Sequence, residues 1–283
     1  MAENFDKIIQ RKENIESIEP LITAMRTISL SNWRSSLNRA NDLRSFIFEL
    51  ESAYAILKDR NGSGLSTNNL KKNIVYVLGS NRGLCGIFNK GILDFFIQKE
   101  LGNDSGQEII LIGARLFKLF SQAKINTTHT IDFPDIKQIQ DLSTSLCSSL
   151  TEELGQTSVS VVYNKYLGAN KYSTILRNIY PKEKTTRATI NDPEDNVFII
   201  DTDPQQLINT IKFFLFTADL QLCFLSSLAA ESSTRFANME NAGRNVDDLI
   251  DELEITIQAH RRGKITTETQ ELAVSSGLLG SKQ

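Results

Sequence analysis

Residues 203–275 read DPQQLINTIKFFLFTADLQLCFLSSLAAESSTRFANMENAGRNVDDLIDELEITIQAHRRGKITTETQELAVS, and no proline follows Pro204 before the chain ends at Gln283. Proline breaks helix interiors, so this run permits one very long helix. Its start is well marked: Asp203 can cap, Pro204 suits the first helical position, and Gln206 stands where a capping box wants it. Apolar residues then recur every seven positions. One seam is Ile211, Ala218, Leu225, Ser232, Met239, Val246, Leu253 and His260; the other is Leu215, Leu222, Ala229, Phe236, Gly243, Ile250 and Ile257. A sustained heptad predicts left-handed supercoiling around a partner helix. At ~1.5 Å per residue, a helix from Pro204 to about Ser276 would be ~110 Å long.

The N-terminal segment has the same character. Ile8, Ile15, Ile22, Leu43, Leu50 and Leu57 lie on one seam, with Ile18, Met25, Phe46 and Ala53 on the other. Ser29, Asn32, Ser36 and Arg39 interrupt the stripe, where the helix either makes a small polar contact or faces water. Pro20 should kink the helix or remove a hydrogen bond. The helix is expected to end near Asn61-Gly62-Ser63-Gly64. Pairing the two terminal helices, with a globular insert returning the chain, makes the pair antiparallel. The plainer alternative is two amphipathic helices in a bundle.

Between them, residues 74–78, 108–112, 158–163 and 173–180 read as strands, with a short strand expected between Ile125 and Phe133. Residues 87–101, 114–123 and 136–154 read as helices. This alternation predicts a largely parallel sheet with an antiparallel edge formed by the last two strands around Gly168-Ala169-Asn170. The fold class expected is α/β plus a long antiparallel coiled coil: helices over 1–61 and 204–283, and a Rossmann-like domain over 70–200.

The turn after the first strand, Gly79-Ser80-Asn81-Arg82-Gly83-Leu84-Cys85-Gly86, raises nucleotide binding, since amides at a helix N-terminus can hold phosphate. Its glycines are spaced GxxxGxxG rather than GxGxxG, no Walker lysine follows, and the acidic residue about 20 positions on is only Glu100. A tight strand-to-helix turn explains the same residues. His129 and His260 are the only histidines, and no cysteine or serine carries a catalytic motif. The acids Asp247, Asp248, Asp251, Glu252 and Glu254 read as a solvated run.

Composition narrows the classes. With 34 acids against 31 bases the net charge is -3, unlike a general nucleic-acid binder. Cys85, Cys147 and Cys223 lie far apart in no metal-ligand spacing, which fits a reducing compartment. No run of ~18 apolar residues is evident, so no bilayer span is expected. The start MAENFDKIIQRKENIES lacks a signal-peptide core and is too acidic for a typical transit peptide. The chain is expected to stay inside a cell, or inside an organelle that encodes it.

Four blocks in order resemble the F-type ATP synthase gamma subunit family, over nearly the whole chain. Ala24-Met25-Arg26, with Ser31 and Arg34, resembles its AM…S..R stretch. Residues 80–89, SNRGLCGIFN, resemble its S-D-R-G-L-C-G-x-x-N turn, with Asn81 for Asp and Arg82, Gly83 and Gly86 in place. Residues 235–245, RFANMENAGRN, resemble its R-x-x-A-M-x-x-A-T-x-N block, and Ile265-Thr266-Thr267-Glu268 with Glu271 and Ser276-Gly277 its ending.

The resemblance implies a central rotary stalk: a coiled-coil axle inside a ring of alpha and beta subunits, and an α/β foot that meets epsilon on the membrane ring of c subunits. Ion flow turns the ring and axle, and the axle drives the catalytic beta sites; run backwards, ATP hydrolysis turns the axle. It implies no chemistry, metal or cofactor on gamma itself, no nucleic acid, and a peripheral place on the cytoplasmic face of an inner or thylakoid membrane, held through the c ring. Arg261 and Arg262, with Lys264 beside them, occupy positions that meet the beta catch loop, Met25 belongs to the axle contact, and Phe198 and Asp201 correspond to foot residues at the c ring. The serine and asparagine positions near Ser29 to Ser36 fit a weakly adhesive axle surface. The plain alternative for the basic cluster is three solvated charges.

The chain departs from the family at Pro20, at Thr23 for lysine, at Arg262 for glutamine and in the glycine-rich tail 277–283. It carries no cysteine-bearing regulatory insert. Such divergence leaves room for an alternative, sodium-pumping form or a repurposed rotary ATPase. The rival readings are a nucleotide-binding α/β enzyme with helical extensions and a structural coiled-coil adaptor.

Overall fold

The computed structural model describes residues 2–61, 72–102, 106–150, 157–181 and 203–275. In order the elements are α1 (Ala2–Glu16), α2 (Glu19–Asn61), β1 (Lys72–Leu78), α3 (Phe88–Gln98), β2 (Gln107–Ile112), α4 (Ala114–Gln122), β3 (His129–Ile131), α5 (Ile139–Ser149), β4 (Thr157–Gly168), β5 (Lys171–Tyr180) and α6 (Pro204–Ser275). They form two compact units. One spans Ser29–Arg235; the other joins residues up to Ile28 with those from Phe236 onward. Both α2 and α6 contribute to each.

The larger unit is built on a five-stranded sheet in the order β3-β2-β1-β4-β5. The first four strands are parallel and β5 runs antiparallel to β4 at the edge, as the alternating pattern predicts. Side chains alternate across the pleat. Ile74, Tyr76 and Leu78 face one core with α5, with Ala40 of α2, and with Phe216, Leu220, Phe224 and Leu228 of α6. Val75 and Val77 face the other, where Phe88, Ile92 and Phe96 of α3 meet Leu116 and Phe120 of α4. Further along, Ile47 and Leu57 of α2 pack with Ile208, Ile211, Leu215 and Ala218 of α6. Beneath the edge strand, Arg177 on β5 reaches the buried carboxylate of Asp219 on α6 at 2.6 Å.

In the smaller unit the terminal segments run antiparallel. Phe5 stacks obliquely on His260 with ring centroids 5.9 Å apart, Lys12 pairs with Glu254 at 2.8 Å, and Arg26 pairs with Glu240 at 3.1 Å. As one number rises the other falls. Hydrogen bonds that the Lys12 ammonium donates to Glu254 and Glu16 raise its pKa above the ordinary value.

Several expectations are corrected. The N-terminal helix is two helices. Proline clashes with the carbonyl four residues back, here that of Glu16, and α1 ends at Glu16. The Ile18 amide bonds to Ile15, and the ladder resumes with the Ile22 amide on the Ile18 carbonyl. Pro20 therefore sits in the first turn of α2, where a missing amide costs least. Ile18 and Phe46 are close to half exposed, and Ile47 takes the buried position instead. Ser29 and Ser36 are buried, so they are small polar contacts inside the fold rather than axle surface; the Ser36 hydroxyl donates to the Asn32 carbonyl at 2.7 Å.

The α6 seams are buried or half-buried throughout, but Leu215–Leu220 and Cys223–Arg235 are buried on every side. There α6 is a core helix, not an amphipathic one. It contains an 18-residue window apolar enough for a membrane span by composition, contrary to the sequence expectation, and 78% of that window is buried inside the fold. The helix expected over 87–101 stops at Gln98, and Glu100 lies in the following turn with φ 53°. The helix expected over 136–154 is shorter, Ile139–Ser149. Phe198, Asp201, residues 62–64 and the tail 277–283 lie outside the described residues.

Candidate functional sites at the glycine turn and the basic cluster

The turn from β1 to α3 is held by its own polar side chains. Gly79 is required by close approach, since a Cβ there would lie 2.4 Å from Cβ of Leu116. The Ser80 amide donates to Oδ1 of Asn89 at 2.9 Å, and Nδ2 of Asn89 donates back to Oγ of Ser80 at 2.7 Å. The Ser80 hydroxyl donates to the Arg82 carbonyl at 2.9 Å. Asn81 points the other way. Its Nδ2 donates to the Phe133 carbonyl at 2.8 Å, while Oδ1 accepts from the amides of Phe133 at 2.8 Å and Ala114 at 3.2 Å.

Leu84 and Gly86 both adopt left-handed backbone, φ 65° and 59°. Leu84 and Ile87 are left exposed. Cys85 is buried beneath them, and burial pushes its thiol pKa up.

The turn also meets α6. Nε of Arg235 donates to the Gly83 carbonyl at 3.2 Å, and Nη2 of Arg235 is bonded to Oε1 of Glu231. Both side chains are buried. Burial raises the Glu231 pKa, opposed by the charges of Arg235 and Arg82. A cleft of about 330 Å³ adjoins them, lined by Asn81, Arg82, Phe133, Glu231 and Arg235 among others.

In doubly wound sheets ligands usually bind outside the carboxyl ends of the strands where the strand order reverses. Here that point lies between β1 and β4. Asn164 of β4 donates to the Phe88 carbonyl at 3.1 Å and accepts from Thr174 at 2.6 Å. The Tyr166 and Asn170 amides donate to Ser226 and Ser233 of α6.

Of the basic residues, Arg261, Arg262 and Lys264 are all exposed. Arg261 lines a groove in the smaller unit with Ile9, Lys12, Glu13, Glu254 and Ile257. Lys264 lies 3.8 Å from Glu268, one turn on. From Arg261 to Ser275 every residue except Ala273 is exposed, including Ile265, Leu272 and Val274. Met25 is half-buried in the same unit.

The structure thus brings Arg82 and Gly83 together with Arg235, two blocks that the sequence leaves unconnected. Sequence reasoning missed the roles of Asn81, Glu231 and Asn164. The only sign was polar residues at positions where a helix or strand is otherwise apolar.

Residues 4–277 match the family model described as ATP synthase. The gamma chain of ATP synthase from Wolbachia pipientis is 25% identical over 275 residues, covering 93% of this chain and 94% of the relative. The Mycoplasma mobile gamma chain is 29% identical over 213 residues, covering 74% and 73%. Among solved structures, a chain of the Euglena gracilis mitochondrial ATP synthase, OSCP/F1/c-ring, aligns over 100% of this chain and 98% of its own with TM-score 0.65 at 14% identity. A chain of the Tetrahymena thermophila mitochondrial ATP synthase central stalk and c-ring aligns over 78% and 99% with TM-score 0.56 at 17% identity.

A mixed sheet entered and left through long terminal helices is the fold shared with those two chains. The chain belongs to the ATP synthase gamma-chain family, the central-stalk subunit of the F-type enzyme.

Proposed function

We propose that the chain is the turning, non-catalytic part of its synthase, coupling ion-driven rotation of a c ring to the catalytic beta sites. The observation that carries this is the antiparallel pairing of the terminal segments, fixed at Phe5–His260, Lys12–Glu254 and Arg26–Glu240. Supercoiled helices resist twisting better than one. The partners are alpha, beta, epsilon and the c ring, and the complex stands on the cytoplasmic face of its membrane. In this reading residues 1–61 and 204–283 form the axle and 70–200 the foot, with Phe198 and Asp201 assigned to the c ring. Met25 contributes to the contact of the axle with its surrounding subunits. No nucleotide is needed on this chain.

The exposed Arg261, Arg262 and Lys264 would form ion pairs with an acidic loop of beta, which set register more than affinity. Reconstitution with matching alpha and beta chains should give ATP-driven rotation. Replacing both Arg261 and Arg262 with alanine should weaken torque transfer or assembly and leave the circular dichroism of the α/β domain intact. Unchanged coupling would remove these residues from the contact. Micromolar binding of a nucleotide to the isolated chain by calorimetry would favour the enzyme reading instead.

A further inference from the structure

The glycine turn and the block opening at Arg235 lie 152 positions apart, and one side chain joins them. We infer that Arg235 is a positioning residue: held by Glu231, it clamps the Gly83 carbonyl so that the glycine turn and α6 move as one body, and coupling depends on this clamp. The inference rests on the reading of the chain as a rotor subunit.

Three observations support it. First, Arg235 uses two different nitrogens of one rigid plane, Nε for Gly83 and Nη2 for Glu231. A guanidinium fork can hold two partners in fixed directions; a lysine ammonium on a flexible stem cannot do so in the same geometry. Second, both charged side chains are buried, at 8% and 5% exposure. Burying an ion pair gains little stability over an apolar pair of similar size, so this pair is better explained by the position it imposes.

Third, the clamp falls one residue before Leu84, whose left-handed backbone is unfavourable for a residue with a Cβ. The Leu84 side chain is 54% exposed, so its own burial does not hold that conformation. The Ser80–Asn89 bonds hold one flank of the turn and Arg235 the other. The adjoining cleft gives Arg82 and the turn room to relax once Arg235 lets go.

The test is Arg235→Lys, which keeps the charge beside Glu231 and gives up the second arm. In the isolated full chain, amide hydrogen exchange at residues 83–87 should accelerate about tenfold or more while the strands keep their protection. In the complex reconstituted with alpha, beta, epsilon and the membrane sector, ions moved per ATP hydrolysed should fall about twofold or more, the low end for residues that couple sites they do not touch. Unchanged exchange in the turn, or unchanged ions per ATP, overturns the inference. So does faster exchange spread over the whole sheet, which marks a merely structural role.

Should Arg235→Lys fail to assemble, Glu231→Gln supplies the second variant. It keeps an acceptor for Arg235 and should accelerate exchange in the same residues by a smaller factor; no change there counts against the clamp. A wild-type complex that does not rotate would sink the rotor reading, while exchange in the isolated chain still decides whether Arg235 holds the turn.

Discussion

Asn81 joins three segments with one carboxamide, donating to the Phe133 carbonyl and accepting from the Phe133 and Ala114 amides. An aspartate could accept those bonds but would set a carboxylate oxygen against the Phe133 carbonyl. This is the structural content of the Asn-for-Asp difference noted in the sequence. Asn81→Ala removes all three bonds and should lower unfolding stability by about 1–3 kcal/mol in a urea titration, since the freed amides lose their partner.

Glu231 carries a pH signature. Its folded pKa is raised above the ordinary 4.5 by burial. Below the ordinary value both folded and unfolded states are protonated. Between the ordinary and raised values only the folded state holds the proton, so stability declines as pH rises through that window and the loss stops above it. Glu231→Gln should flatten that segment of a stability–pH curve; a slope identical to wild type would show that Glu231 is not its source.

At the scale of elements, α6 begins where its sequence says. Oδ2 of Asp203 accepts from the Gln206 amide at 3.0 Å, and the Leu207 amide bonds to the Asp203 carbonyl. Asp203→Ala should cost about 1 kcal/mol, read as a lower thermal midpoint. The start of α6 was legible because a cap and a proline act through neighbours a few bonds away, whereas the ends of α3 and α5 fell short of the apolar pattern. The break between α1 and α2 was legible as a kink at Pro20, but its place, before the proline rather than at it, follows from the ring's clash with the preceding turn. The heptad seams of α6 were legible too. That its middle is buried on every side was not, because period alone does not tell how many neighbours surround a helix.

For the molecule as a whole, the three cysteines sit in different parts of the larger unit and all are buried. Burial pushes the thiols of Cys147 and Cys223 up to about 12. Thiolates are the reactive form, so alkylation in native buffer should be slow at all three and should rise together with unfolding of that unit. Rapid labelling of Cys147 alone would show that α5 opens by itself.

The candidate sites divide along the same line as the fold. The blocks that carry the family resemblance, and the exposure of Arg261, Arg262 and Lys264, could be anticipated from one-dimensional pattern. The burial of Ser29 and Ser36, and the loss of Phe46 from its seam, could not, because a serine on a helix face reads alike in water and against a small neighbour.

By itself the sequence determined the elements, their order and the antiparallel return of the two ends, since periodicity, caps and chain connectivity are local or topological properties. Only the tertiary structure decided that Arg235 reaches Gly83, that Asn81 spans to Phe133 and that Asn164 donates to the Phe88 carbonyl. Those contacts join residues dozens to more than a hundred positions apart. What a polar side chain bonds to at such separations is set by the packing of sheet and helices around it, and no local rule carries that information.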